Sequence, residues 1–320
     1  MNPFSRPPLS SFTERGARRR NAVRTAFVLL LATLLWLPLS TFATSTRANA
    51  ASTTRPYPVG IPNGSEPSGM SPPGPNDLPG YTQSYVNDFT TNALPIGWYV
   101  FSGVPGGDPG GHFDAQHVQF SGGVLRLNAW KDLNYQNRWV TGGLCQCGLS
   151  RVYGAYFVRS RETGPGPNEV QLLWPATNTW PPEIDFNETG ASDVKTTETV
   201  HFGTQNTMDH GNIQLNMLKW HTWGVIWTAS SVTFVVDGRA WARDVAPANI
   251  PNVPMDLNLE QRALCTVGRQ CPKKNVSMLV DWVAEYVPGI DQSTTTTTTT
   301  TGTTSTTTSS TSTTTTTAAP

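Results

Sequence analysis

VTFVVDGRAW, residues 232–241, decides the fold class. Val232 to Val236 is an uninterrupted β-branched and aromatic run, Asp237-Gly238 is a turn pair that takes positive φ easily, and Arg239-Ala240-Trp241 starts a return strand; the pattern predicts a tight β-hairpin. The same signals recur outward from it. Val124 to Ala129, Val170 to Trp174, Thr199 to Phe202 and Val276 to Val287 mix β-branched and aromatic residues with partial alternation. No amphipathic helix of two or more turns stands out after the first 50 residues. With 28 Gly, 26 Pro and 11 Trp in 320 residues, and only 14% charged, the composition suits many short strands joined by turns. An all-β sandwich or barrel is expected.

The ends of the chain are not core-forming. In residues 1–50, Arg15, Arg18, Arg19, Arg20 and Arg24 precede an apolar run from Ala26 to Phe42, and Ala48-Asn49-Ala50 is a small-x-small cleavage pattern. This reads as an export signal cut near Ala50, which implies a secreted or envelope-associated protein with no membrane segment in its mature form. Residues 51–80 are rich in Pro, Gly and Ser and are expected to form an extended linker. Residues 291–320 are nearly all Thr and Ser, a composition that buries too little apolar area to fold. Residues 81–290 remain for a single domain, expected to act as a monomer.

The 22 basic and 22 acidic residues balance, but residues 1–50 hold seven Arg and one acid, leaving 15 basic against 21 acidic beyond them, a net charge of −6. That balance offers no basic footprint for nucleic acid. Four cysteines in an exported chain are expected to pair. Cys265 and Cys271, with Gly268 between them, are the favoured pair. Cys145 and Cys147 are two residues apart, a spacing that seldom gives good disulfide geometry in a strand, and cross-pairing with 265 or 271 stays open.

The chemistry concentrates in WPPEIDFNETG, residues 180–190. In a strand, Glu183 and Asp185 share one face and Ile184 and Phe186 the other. Glu188 joins the acids only if one extra residue bulges the strand between Asp185 and Glu188. Two carboxylates across a cleft are the working pair of a glycosidase, about 5 to 5.5 Å apart when the configuration is retained. Repulsion from Glu183 and Asp185 is expected to raise Glu188 and keep it protonated. The competing reading is an acidic turn or an oxygen-rich calcium site. Trp174 and Trp180 supply faces for sugar stacking, His201 alternates with Val200 and Phe202, and Asn258 and Glu260 alternate with Leu257 and Leu259. Singly each is more often structural; together they point to a glycan cleft.

Here the sequence resembles family 16 of the glycoside hydrolases, through Glu183-Ile184-Asp185-Phe186-Asn187-Glu188, YGAYFVRSR (153–161), LLWP (172–175), HTWGVIWT (221–228), FVVDGRAW (234–241) and VDWVAEYV (280–287). It departs at Asn187, where that family usually has an apolar residue. The resemblance implies a concanavalin A-like jelly roll of two antiparallel sheets, Glu183 as nucleophile, Glu188 as acid/base, Asp185 as the partner that manages the nucleophile's charge, and Trp174, Trp180 and His201 near the scissile bond. It implies no required cofactor, a structural calcium in some members with Asp281 as the candidate ligand here, and a polysaccharide partner. A retaining endo-acting hydrolase of β-1,3 or mixed β-1,3/1,4-glucan is the leading reading. A transglycosylase or galactanase of the same fold, or a non-catalytic lectin-like binder, stays open. Asn187-Glu188-Thr189 is also an N-glycosylation sequon, expected to be unmodified because a glycan in the cleft would block it.

Overall fold

A computed structural model of the chain describes residues 55–265 and 271–289. The export signal read in residues 1–50 and the Thr/Ser tail read in 291–320 lie outside the described residues. Two antiparallel sheets stack face to face as a jelly-roll sandwich. The cleft sheet runs, edge to edge, Thr207–Gln214, Lys195–Phe202, Glu183–Glu188, Asn168–Pro175, Met255–Arg262, Gly143–Cys145 and Tyr99–Val100. The back sheet runs Arg239–Asp244, Val232–Val236, His221–Trp227, Gly154–Glu162, Val276–Pro288, Leu125–Asp132 and Val118–Phe120, and Tyr81–Asn87 also pairs with Val276–Pro288. The predicted hairpin is present: Val236 pairs with Arg239, and Asp237 and Gly238 both take positive φ (48° and 81°).

Leu173, Ile184, Phe186, Val200, Leu257 and Leu259 of the cleft sheet meet Leu127, Val158, Trp223, Val225, Phe234 and Val280 of the back sheet in one core. The outer face of the back sheet is buried as well. Phe157, Ile226, Val235, Trp282, Ala284 and Tyr286 lie under Leu78, Tyr57 and Tyr81. This corrects the linker reading of residues 51–80. From residue 55 onward the segment lies on the sheet, pairs Ile61–Pro62 with Met70–Ser71, and accepts a hydrogen bond from Trp282 Nε1 at the Met70 carbonyl. A few apolar groups docked on a preformed apolar face hold it, at about 1.5–3 kcal/mol per large side chain buried. Composition averaged over thirty residues hides them.

Cys265 pairs with Cys271, and Cys145 with Cys147. The second pair forms because the strand stops at Cys145. Gln146 leaves the extended region (φ −87°, ψ 43°) and a 3-10 turn begins at Cys147. The two Cα atoms are thereby 5.1 Å apart, against roughly 6.6 Å for residues i and i+2 of an extended strand.

Candidate active site

The bulge expected in the acidic strand is present. Asp185 pairs with Thr199 and Glu188 with Thr197, with the register shifting between them. On the other side Leu172 pairs with Asp185 and Gln171 with Asn187, which leaves Phe186 as the extra residue. Paired residues share a face, so the acids fall on three successive rungs of one surface: Met208–His201–Glu183, then Thr199–Asp185–Leu172–Asn258–Cys145, then Thr197–Glu188–Val170–Glu260. These rungs floor a cavity of about 930 Å³ lined by Trp174, Trp180, Glu183, Asp185, Glu188, His201, Asn258 and Glu260, every cleft residue expected from the sequence.

The three acids differ in their surroundings. Glu183 is 6% exposed and receives a hydrogen bond from Trp180 Nε1 to Oε2 at 2.7 Å. Asp185 is 3% exposed, with Oδ2 at 3.2 Å from His201 Nε2. His201 Nδ1 faces Asn206 Oδ1 at 2.7 Å, so both ring nitrogens meet oxygen acceptors, the setting of a doubly protonated ring. Burial alone would lower His201, but the hydrogen bond from the ring to Asp185 and the charges of Asp185 and Glu183 outweigh it and push the ring up to about 9. Asp185 is pushed up to about 8, by burial first and the Glu183 charge second. The sequence argument assigns the raised carboxyl to Glu188; the structure puts this large effect on Asp185, the innermost of the three. Glu188 is half-buried, and its Oε1 receives Asn168 Nδ2 at 2.9 Å.

The neighbouring strand Met255–Arg262 presents Asp256, Asn258, Glu260 and Arg262 to the same cavity. Asn258 donates to Asp256 Oδ1 at 2.8 Å, and burial, partly offset by that bond, raises Asp256 to about 6. Glu260 Oε2 lies 2.8 Å from Arg262 Nε, and Arg262 Nη1 donates to the Gly106 carbonyl, tying the 102–107 loop to the cleft wall. Asp256 was legible from the alternation D-L-N-L-E over 256–260, and Arg262 keeps the same parity although Gln261 breaks the apolar set. Asn168 had no such signal, since it follows a Gly/Pro loop. Trp174 donates from Nε1 to Asn178 Oδ1 at 2.9 Å, which fixes its indole at the cavity wall.

Asn187 does not point into the cleft, which corrects the geometry assumed for the sequon. The bulge sends both Phe186 and Asn187 inward, and Asn187 is fully buried between the sheets. Its Nδ2 donates to Glu169 Oε1 and its Oδ1 accepts from Thr196 Oγ1. The departure from an apolar residue is therefore matched by polar partners, and a folded chain leaves no room there for a glycan.

Asp281, the residue expected to ligate calcium, already has protein partners. Asp281 is buried on the back sheet and accepts from the Ser68 backbone N–H at 3.1 Å. The Arg159 guanidinium, which donates to Ser68 Oγ and Thr222 Oγ1, already supplies positive charge to that site. Among the described residues no cluster of three His, Cys, Asp or Glu ligand atoms includes Asp281, whereas calcium takes six to eight oxygens. Ligand atoms of Glu183, Asp185 and His201 do lie within 4.8 Å of one another. Metal ligation needs a neutral imidazole, and the two carboxylates beside His201 hold its proton on.

Residues 112–263 match the family model described as glycosyl hydrolases family 16. The match contains the bulged acidic strand and the Met255–Arg262 strand. The chain is also similar to the endo-1,3-1,4-beta-glycanase ExsH of Rhizobium meliloti (strain 1021), 28% identical over 144 residues, 43% of this chain and 31% of that protein. EglC of the same organism, also an endo-1,3-1,4-beta-glycanase, is 29% identical over the same shares. The chain thus spans about a third of the length of these curated relatives. Among solved structures, the catalytic domain of an endo-1,3-beta-glucanase (laminarinase) from Thermotoga petrophila RKU-1 superposes with a TM-score of 0.57 at 16% identity, covering 66% of this chain and 99% of that one. That likeness shows the fold.

Proposed function

We propose that the protein is an exported, retaining, endo-acting hydrolase of β-1,3 or mixed β-1,3/1,4-glucan. The observation that carries the reading is the bulged strand, which sets Glu183, Asp185 and Glu188 on three successive rungs of the cavity floor, with Trp180 donating to Glu183 and His201 facing Asp185. Trp174 and Trp180 line the same cavity and fit sugar faces. The names of the Rhizobium relatives support the linkage class.

In the first step a Glu183 carboxylate oxygen bonds to the anomeric carbon as the glycosidic C–O bond breaks, and the Glu188 proton passes to the departing oxygen. In the second, Glu188 takes a proton from water, the water oxygen bonds to the anomeric carbon, and Glu183 departs as carboxylate. The hydrogen-bonded Asp185–His201 pair, both members raised, keeps a proton beside Glu183, so negative charge does not accumulate next to the nucleophile. No step calls on a metal or cofactor. Full-length protein and Glu183→Gln are assayed on laminarin, lichenan, agarose, carrageenan and xyloglucan, reading product size and anomeric configuration. Retained configuration on a β-glucan, lost in the variant, is expected. Binding with no turnover on any polymer would make the protein a glycan binder, and longer products in place of shorter ones would make it a transglycosylase.

A further inference from the structure

Asn168 opens the strand Asn168–Pro175, pairs in register with Arg262, and sits one rung beyond the Val170–Glu188 pair on the cleft face. It is 1% exposed, and its amide orientation is fixed by its partners. The Gly190 backbone N–H, which can only donate, lies 2.6 Å from Oδ1, and the Thr189 hydroxyl approaches the same oxygen at 3.4 Å. Oδ1 is therefore the atom on that side, and Nδ2 is the atom 2.9 Å from Glu188 Oε1. Thr189 is held in turn, accepting from the Glu169 N–H and donating to the buried Glu162.

An amide NH₂ only donates. Facing it, Oε1 of Glu188 must present a lone pair in both protonation states. We infer that Asn168 is a positioning residue for Glu188, keeping Oε1 an acceptor so that the proton exchanged with the glycosidic oxygen and with water is carried on Oε2. The inference rests on the hydrolase reading above and goes one step further, to the atom that carries the proton. Without Asn168 the proton can sit on either oxygen, and the carboxyl is free to rotate away from the scissile bond. Donation to a carboxylate also favours its ionised form. The other charged groups in reach of Glu188 are Glu183 and Asp185 on its own strand and Arg262 with its partner Glu260 on Met255–Arg262, and none of them is altered by changing Asn168.

Two measurements test this. The Glu188 carboxyl is titrated by carbon NMR in ¹³C-glutamate-labelled protein, assigned by its loss in Glu188→Gln. Asn168→Asp keeps the acceptor for Gly190 but replaces the donor with an acid, and its Glu188 titration is expected to move up by about one pH unit or more. In parallel, Asn168→Ala, with its fold checked by circular dichroism, is assayed on polymer and on an oligosaccharide glycoside with a dinitrophenolate leaving group, which needs no proton to depart. A loss of roughly 10- to 100-fold on polymer, but less than about threefold in the burst phase of the activated glycoside, is expected if acid catalysis is what the variant lacks. Equal losses on both substrates, or an unmoved titration, would overturn the assignment. The titration reads Glu188 whether or not the wild type turns over. Failure of the hydrolase reading therefore shows as absent turnover, and failure of this inference as an unmoved carboxyl.

Discussion

The two faces of the strand Glu183–Glu188 carry similar residues under opposite conditions. Toward the cavity stand Glu183, Asp185 and Glu188. Toward the back sheet, Asn187 joins Glu169, Gln171, Ser160 and Thr196 in a sealed polar cluster, with Ser160 Oγ donating to Glu169 Oε1 and accepting from Gln171 Nε2, both at 2.6 Å. Each face holds buried carboxyls raised by burial, Asp185 to about 8 outside and Glu169 to about 7 inside. The difference lies in what adjoins them. The inner acids face hydrogen-bond donors fixed between the two sheets, while the outer ones border open volume and an imidazole. A raised carboxyl marks burial; a raised carboxyl beside a cavity marks a place for chemistry.

The comparison is broken most sharply at Glu183. Glu183→Gln keeps the shape and an acceptor for Trp180 but removes the proposed nucleophile, so turnover is expected to fall by about four orders of magnitude or more, with a melting midpoint equal to or above that of the wild type. An active Glu183→Gln would move the chemistry elsewhere. The inner face should give the mirror image. Asn187→Leu restores an apolar residue but strips Glu169 of a donor and Thr196 of its acceptor between the sheets. A destabilisation of about 2–3 kcal/mol is expected, a drop of roughly 5–10 °C in the midpoint, while kcat of the folded fraction stays within about threefold. Calorimetry and activity at matched folded fractions separate the two.

The outer face was the more legible of the two, for a physical reason. Period-2 alternation showed Glu183, Asp185, His201, Asn258 and Glu260 sharing a surface, and the odd offset of Glu188 required a bulge that is present at Phe186. The inner cluster was invisible because Glu169, Gln171, Ser160 and Asn187 come from three separate strands that only tertiary pairing unites. Burial was the other quantity alternation does not give. It decides that Asp185 is strongly raised, and it made an ordered cover of the segment that follows residue 55. The pairing of Cys145 with Cys147 was left open because the spacing argument assumed that the strand continues past Cys145.

Rising pH sharpens the comparison further. Raised folded values mean that the native state binds more protons than the unfolded chain, so stability falls as pH rises. The contribution of Glu169 is full below about 4.5 and lost by about 7. That of Asp185 is lost progressively from 3.8 to about 8, and that of His201 from 6.5 to about 9. Between pH 7 and 9 the slope therefore belongs to Asp185 and His201 on the outer face together with the buried Glu162 between the sheets, which burial and the Glu169 charge raise to about 10. Asp185→Asn removes one titrating group and the partner that raises His201, so the fall in midpoint over that window should shrink by the equivalent of roughly 1–2 kcal/mol. Glu169→Gln should flatten the curve below pH 7, and above it only by the part of the Glu162 shift that the Glu169 charge supplies. Scanning calorimetry from pH 4 to 9 reads both, and identical slopes above pH 7 in wild type and Asp185→Asn would remove the imidazole–carboxyl pair from the account.

The smallest expected effect separates two tryptophans on the same wall. Trp180 donates to the acid placed as nucleophile, while Trp174 donates to Asn178 and offers the cavity its ring. Stacking of a sugar on one ring contributes on the order of 1 kcal/mol. Trp174→Ala should therefore raise KM by about three- to tenfold and leave kcat nearly unchanged, the pattern of binding shared equally by ground and transition states. Trp180→Phe keeps the ring and loses only the N–H, so its loss should fall on kcat. Finding both losses in KM would make Trp180 a second stacking platform; finding both in kcat would draw Trp174 into the set of groups that orient the acids.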